Sequence, residues 1–361
     1  MRFPILSTLL LGGVNAAAYG KPPVNDAPQV EKRSLDQIYK AALKEGGTVT
    51  LWSGGDERNQ GDGLKTAFES AFPGMTLNLT VDLSKYHDGN IDQQLANKNV
   101  YVDSILLQTA HDFPRWKKQG VLLKYAPAGL DKIYPDFKDG DAAYYGYLGV
   151  GWQFIWNHDK WKGKNIQEFT DFLRPEFKGK LVLTYPNDDD AVLFAFDLII
   201  EKYGNKWFED LLKQKPRWVR GAATPATLIA DPKSLYIASF TSAIGLGQQS
   251  GPLNFTFPKK GQHVTWAQTA AILKDAPHPE GAKLLHNFLL TKDFQKANGF
   301  WSLRSDVPAP SGQPKFVDVP GSDPLAFRDF MLDRPKVERL RFWFEDKLGT
   351  AQGLSPLIDG L

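Results

Sequence analysis

The 361-residue chain contains no cysteine, only 3 methionines and only 6 histidines. The first absence excludes disulfides, thiolate metal centres and cysteine nucleophiles outright. Downstream of the N-terminus no stretch approaches the roughly 20 apolar residues that a membrane helix needs. Neither sign of charge dominates. With 43 Lys and Arg against 41 Asp and Glu, the net charge is +2, which gives no reason to expect nucleic acid or an anionic membrane as partner. The Gly-x-Ser-x-Gly, His-Glu-x-x-His and Gly-x-x-x-x-Gly-Lys motifs do not occur. His87, His111, His158, His263, His278 and His286 are dispersed without paired metal-ligand spacing. The reading is a protein without metal, cofactor or catalytic apparatus. Its one suggestive pair, His111 and Asp112, reads as a turn or cap, and a hydrolase or lyase using Asp189 and His111 is the minor alternative.

What is present begins with a leader. Residues 1–18 combine Arg2, an apolar run through Leu9, Leu10 and Leu11, and a small-residue exit over Asn15, Ala16, Ala17 and Ala18. That pattern predicts a cleaved secretory signal and a protein located outside the cell. Residues 19–33 are polar and lack apolar periodicity. Lys32-Arg33 before Ser34 resembles sites cut by kexin-type proteases of fungi, the alternative being a dibasic pair in a solvated tail. On either reading the folded part is expected to start near Ser34. Asn78-Leu79-Thr80 and Asn254-Phe255-Thr256 are N-glycosylation acceptors if they lie on the surface.

The remaining composition, 42% hydrophobic and 23% charged, is that of a folded globular chain long enough for two domains. Strand-like and helix-like segments alternate. A β-branched run over Gly47–Ser53 ends in Ser53-Gly54-Gly55-Asp56, and Leu64, Ala67, Phe68, Ala71 and Phe72 then recur at helical spacing until Pro73-Gly74. Met75–Val81 and Val102–Leu107 read as further strands, with helices over Gly89–Asn97 and Phe113–Gln119. Tyr147–Asn157 reads as one long strand, Ile166–Leu173 as a helix and Leu181–Tyr185 as a strand. Asp188, Asp189 and Asp190 precede an apolar helix at Ala191–Ile200, where a carboxylate suits the free N–H groups and the dipole. Trp207–Leu212 reads as a helix, Leu235–Ser242 as a strand, and His263–Leu273 as a strand returning to the first half. Pro279–Leu290 is a helix with proline in its first turn. Strands separated by helices predict parallel βαβ units, with ligands at the carboxyl ends of the strands. The loops Ser53–Asp56 and Gln108–Asp112 are therefore the first places to look.

Across these segments the chain resembles extracellular solute-binding proteins of bacterial ABC importers, in the iron/thiamine/phosphonate-type branch of the type II periplasmic-binding fold. The resemblance is carried by Val49–Glu57, Val102–Tyr125, Gly149–Asp159, Phe172–Pro186, Trp218–Gly221 and Ala271–Leu290. Within them Phe177-Lys178-Gly179-Lys180, Trp218-Val219-Arg220-Gly221 and Ala276 to Leu284 are the most telling. It implies two α/β lobes with mixed, mainly parallel sheets, joined by a hinge, with a small molecule or ion clamped between them. Lobe 1 is expected over 34–150 and 267–310, lobe 2 over 151–266, and 311–361 as C-terminal helices packing on the lobes. The crossings are expected near Gly149–Phe154 and Val264–Thr269. A membrane transporter is an implied partner that this sequence does not itself display. Ferric-ion members are expected to use adjacent tyrosines, but Leu228–Phe240 holds only Tyr236, and Tyr144-Tyr145 lies before the hinge strand. The iron site is therefore not carried over.

In a closed form the ligand is expected between Ser53, Gly54, Gly55, Asp56 and Thr109 of one lobe and Tyr185, Asp188, Asp189, Arg220, Thr241 and Trp266 of the other lobe and the hinge. Backbone N–H groups at Ser53–Gly55 could meet an oxygen, or form a plain turn. Arg220 could fork onto a carboxylate or phosphate, or join an interlobe or surface salt bridge. Thr241 and Ser242 could donate hydroxyl bonds, or cap a helix. The aspartate run favours a cationic or hydroxyl-bearing ligand, or else caps its helix. Trp52, Trp152, Trp156, Tyr185 and Trp266 could stack on a ring or enclose an amine, or belong to the core. The opposed charges of Arg220 and the aspartates leave the ligand open. A further alternative is an interaction protein that kept the fold without its ligand.

Overall fold

A computed structural model describes residues 27–246 and 251–358. The expected secretory signal and the first part of the polar leader lie outside the described residues. The folded body includes residues upstream of Ser34, and the reason is a local clamp. Gln29–Val30 pairs in parallel with Tyr125–Ala126. Next to it the Glu31 carboxylate accepts from Arg33 Nη2 at 2.7 Å and from the Tyr125 hydroxyl at 2.7 Å. Arg33 reaches on to Glu280 at 2.6 Å. Burial alone would raise the Glu31 carboxyl, but these donors hold it down at about 2. The dibasic pair is thus part of the folded body. Ser34 then caps the helix Leu35–Glu45 in a reciprocal pair with Gln37, and Gly46 ends it.

The first lobe is built on a six-stranded sheet. Its order is Trp301–Ser302, Tyr145–Gly151, Thr265–Ile272, Ser104–Leu107, Thr48–Gly54 and Thr76–Asp82. The last three strands are mutually parallel, whereas Thr265–Ile272 runs antiparallel to both its neighbours. Parallel pairing needs crossover helices, and Asp62–Ala71 and Ser84–Ala96 supply them. The latter starts five residues before the expected Gly89, because the second parallel strand ends at Asp82 and the chain turns at once. The carboxyl ends of all three parallel strands therefore lie along one edge of the sheet.

The second lobe carries a three-stranded antiparallel sheet, ordered Ala238–Ser242, Gln153–Asn157 and Leu253–Thr256. A parallel pair, Val182–Thr184 with Arg217–Val219, joins it through a bridge between Leu181 and Ala238. Helices Asp190–Tyr203 and Asn205–Lys213 cover this sheet, and the core between them is aromatic: Phe154, Phe172, Phe177, Phe196, Phe208 and Phe240 are all buried. Each such side chain stabilises by about 1.5–3 kcal/mol relative to exposure. The segment expected as a helix from Ile166 is a 3₁₀ turn at Phe169–Leu173.

The expected single strand Tyr147–Asn157 is two strands, broken at Trp152 where the chain passes from one lobe to the other. The return passage is at Val264, whose carbonyl accepts from Trp152 N–H at 3.0 Å, so the two crossing strands are tied together. A third passage follows the first lobe's Val319, since Phe327, Phe330, Met331, Val337 and Phe344 belong to the second lobe's core. The C-terminal helices Ala326–Leu332 and Arg334–Leu348 pack mainly against Asp190–Tyr203, and the first of them also meets the strand Thr265–Ile272 of the first-lobe sheet, with Arg328 Nη1 donating to the Asp136 carbonyl at 3.1 Å.

Candidate functional site

A cavity of about 500 Å³ lies between the lobes. Its first-lobe wall is the shared edge of the parallel strands: Ser53, Gly54, Gly55 and Asp56 after the first, Leu83, Ser84 and Lys85 after the second, Gln108 and Thr109 after the third. Ser84 Oγ accepts from Gln108 N–H at 3.0 Å, stitching two of these loops together. A β-carbon at Gly54 would strike Ser84 Oγ, so glycine is what lets the strand end and the helix start approach. Gln60 Oε1 holds the backbone N–H groups of Asp56 and Glu57 at 2.6 and 3.0 Å, which fixes the loop.

The opposite wall comes from the second lobe and the hinge: Asp188, Asp189 and Asp190, Ala222 and Ala223, Trp152 and Trp266. The two indoles lie with ring centres 4.7 Å apart at the crossing strands. Asp189 caps the helix Asp190–Tyr203, accepting from Val192 N–H at 2.9 Å. Its burial, aided by the charges of Asp190 and Asp56, pushes its carboxyl up to about 7. Two further polar atoms of the wall, Thr109 Oγ1 and Trp152 Nε1, are buried with no protein hydrogen-bond partner. The ionisable lining is Asp56, Asp188, Asp189 and Asp190 against Lys85.

The lobes also grip each other directly. Asp56 Oδ2 accepts from the backbone N–H groups of Ala222 and Ala223, the second at 2.9 Å. Lys85 Nζ reaches Asp188 Oδ1 at 2.5 Å and its carbonyl at 2.6 Å. Arg220 Nε donates to Asp188 Oδ2 at 2.9 Å, and its Nη2 donates to the Tyr86 hydroxyl of the first lobe at 2.7 Å. Burial opposes ionisation of Asp188, yet Arg220 and Lys85 hold its carboxyl below the usual carboxylate range.

Of the eleven candidate residues, eight share the cavity wall: Ser53, Gly54, Gly55, Asp56, Thr109, Asp188, Asp189 and Trp266. The structure places three elsewhere. Arg220 forms a salt bridge with Asp188 within the second lobe and donates a hydrogen bond across to the Tyr86 hydroxyl of the first. Thr241 is fully buried in the sheet, where its hydroxyl accepts from Thr184 N–H at 2.8 Å. Tyr185 is buried against Trp218, with ring centres 5.9 Å apart. Ser242 donates to the Ala222 carbonyl. Among the tryptophans, Trp152 joins Trp266 in the wall, whereas Trp52 stacks on His87 at 4.8 Å. Gln108, at the start of the loop singled out from the sequence, lines the cavity too, whereas sequence reasoning passed over Lys85, Tyr147, Gln268 and Phe300. The strand-end rule applied to the second parallel strand would have found Lys85.

Comparison with known proteins agrees with this architecture. A family model for bacterial extracellular solute-binding proteins matches residues 102–321, more than half of the chain. The spermidine/putrescine-binding periplasmic protein 1 of Haemophilus influenzae is 28% identical over 149 residues, 38% of this chain and 40% of that protein. Its Salmonella typhimurium counterpart is 28% identical over 184 residues, 47% of this chain and 50% of that protein. The matches thus span half or less of those relatives' length. Among solved structures, the substrate-binding protein of an ABC transporter from Agrobacterium tumefaciens superposes with a TM-score of 0.71 at 12% identity, covering 83% of this chain and 94% of that one. The periplasmic binding protein AfuA of Actinobacillus pleuropneumoniae, with fructose-6-phosphate bound, gives 0.67 at 17% identity, covering 85% and 100%. With two lobes, three crossings and a cavity at the parallel strand ends, the chain belongs to the family of bacterial extracellular solute-binding proteins.

Proposed function

We propose that the protein is a secreted solute-binding protein that captures a small organic cation in the interlobe cavity by hinge closure, for uptake or scavenging. The observation that carries this reading is the charge of the wall: with Asp188 and Lys85 paired to each other, the lining still holds the carboxyl groups of Asp56, Asp189 and Asp190 and no further Lys or Arg. Aromatic faces from Trp152, Trp266 and Tyr147 lie in the same wall and suit an amine through cation–π attraction. Arg220, the group that would favour an anion, is held by Asp188 and Tyr86. The relatives named for binding spermidine and putrescine support the same class.

Secretion is supported by the leader pattern of residues 1–18 and by the placement of the two sequons. Asn78 and Asn254 are both exposed and stand on outermost strands, one in each lobe's sheet. A glycan at either position would also shield an open sheet edge from pairing with another chain. Among the described residues no helix is long and apolar enough to cross a membrane.

Thermal unfolding of the mature protein against a ligand panel tests the reading. A ligand held only by the native state at about 100 times its dissociation constant adds roughly 2.7 kcal/mol. For lobes of this size that is a rise of a few degrees in the midpoint. Putrescine, spermidine or thiamine should produce the rise; a rise with phosphate, phosphonates or organic acids alone would reject the cationic reading. No rise with any of them would favour an interaction protein with a vestigial cleft.

A further inference from the structure

Beside the main cavity a second interlobe crevice of about 260 Å³ is lined by charged groups alone apart from Tyr86 and His111. On its first-lobe side Asp88, from the helix Ser84–Ala96, meets His111 and Asp112 at the start of the helix Asp112–Gln119. One ligand atom from each of these three lies within 4.8 Å of the others. The Asp112 side chain is 3% exposed, and its Oδ1 is taken by Arg115 at 2.6 Å. Its Oδ2 is buried without a hydrogen-bond donor, and so is His111 Nδ1. The Asp88 carboxylate, when ionised, cannot satisfy Asp112 Oδ2, because two ionised carboxylates are both acceptors; burial and the charge of Asp112 push the Asp88 carboxyl up to about 7. The pair therefore calls for either a shared proton or a bound cation between them.

We infer that Asp88, His111 and Asp112 form a binding site for a divalent first-row metal ion, separate from the solute cavity. One imidazole and two carboxylates suit Mn²⁺, Fe²⁺ or Zn²⁺ better than the all-oxygen sets of Ca²⁺ and Mg²⁺. Donor atoms about 2.0–2.2 Å from an ion stand about 3–4 Å from each other, so side-chain adjustments of under about 1 Å complete the set. The neighbouring cations are committed to other partners, Lys85 of the crevice to Asp188. Arg115 spans Asp112 Oδ1 and Asp92, while Arg334 and Arg341 both turn to Glu338, at 2.7 and 3.5 Å. Asp190 of the second lobe lines the same crevice, so a bound ion would draw the lobes together and favour the closed form. This inference does not rest on the identity of the solute.

The test is calorimetric titration of the untagged full-length mature protein, stripped with a chelator, with MnCl₂ and with ZnCl₂ alone. Saturable 1:1 binding is expected for at least one ion. Asp88→Asn and His111→Gln, each checked for an unchanged metal-free unfolding midpoint, should each weaken it by about 10- to 100-fold or more, the range seen even for second-sphere changes. Asp189→Asn, in the wall of the main cavity, should leave metal affinity unchanged. The inference is overturned if neither ion binds, as expected were Asp88 and Asp112 merely sharing a proton. It is equally overturned if Asp88→Asn and His111→Gln bind as well as the parent, or if Asp189→Asn alone abolishes binding and so moves the ion to the solute cavity.

Discussion

Asp189 carries the most consequential titration in the cavity. Its carboxyl is raised from 3.8 to about 7, so in the ligand-free protein it is largely protonated below neutrality. A folded-state value above the unfolded one means that this group favours the fold at low pH, and the advantage is lost as pH rises from about 3.8 to about 7. A cationic solute reverses the preference by favouring the ionised form, so affinity should increase as pH rises through about 7, with a proton released on binding. Asp189→Asn should remove that pH dependence and cost about 1.5–3 kcal/mol of binding, as for loss of a charge-assisted contact; calorimetry in buffers of different ionisation enthalpy measures both. His263 acts with the opposite sign. It is buried against Phe257 at the second crossing, neither ring nitrogen has a partner, and burial lowers it to about 4. Its neutral form is needed in the fold, so stability should fall as pH drops from 6.5 to about 4. His263→Phe should raise stability at neutral pH by about 1–3 kcal/mol and flatten that acid limb in urea unfolding.

At the scale of elements, the turn after Arg217–Val219 positions the second lobe's half of the grip. Gly221 has φ +79°, and a β-carbon there would crowd Pro356 and sit 2.9 Å from Asp56 Oδ2. Gly221→Ala should destabilise by about 1–3 kcal/mol and loosen the Asp56 contact, read as a lower unfolding midpoint and a larger ligand-free radius. The N-terminal clamp gives a second check. With Gln29–Val30 paired and Arg33 bridged to Glu31 and Glu280, kexin-type protease should cut after Arg33 only when the protein is unfolded. Rapid cleavage of the native protein would show that the clamp opens freely.

These elements also show what the sequence made legible. The strands Thr48–Gly54, Thr76–Asp82 and Ser104–Leu107 could be read because they are short apolar runs bounded by turn residues, and the helices between them because their apolar positions recur at helical spacing. That was enough to bring the loops at Ser53–Asp56 and Thr109 to one edge. The break at Trp152 could not be read, since a strand that changes lobes keeps its apolar character on both sides. Gln29–Val30 and Trp301–Ser302 are two-residue strands held by tertiary pairing, with no periodicity to detect. Arg220, Thr241 and Tyr185 were misplaced for a shared reason. A polar side chain at a strand end can face the cleft or its neighbours, and only the partners Asp188, Thr184 and Trp218 decide which.

For the whole molecule, three passages between the lobes and the tied pair Trp152–Val264 restrict relative motion to bending about one narrow region. The grip of Asp56 on Ala222 and Ala223 and of Lys85 on Asp188 spans the cavity mouth. Asp56→Ala combined with Lys85→Ala should therefore shift the ligand-free protein toward an open form, seen as a larger radius in small-angle scattering, with ligand restoring the compact one. An unchanged radius would mean that packing at the crossings, not the grip, holds the lobes closed. The central claim, that the cavity takes an organic cation on its carboxylate wall, is tested most directly by one calorimetric series. Refolded, ligand-free protein would be titrated with putrescine, spermidine and thiamine at pH 6 and pH 8. Saturable 1:1 binding of at least one, tighter at pH 8 and with proton release near neutrality, is the predicted result. Absence of binding by every cation, or binding that tightens at pH 6, would contradict it.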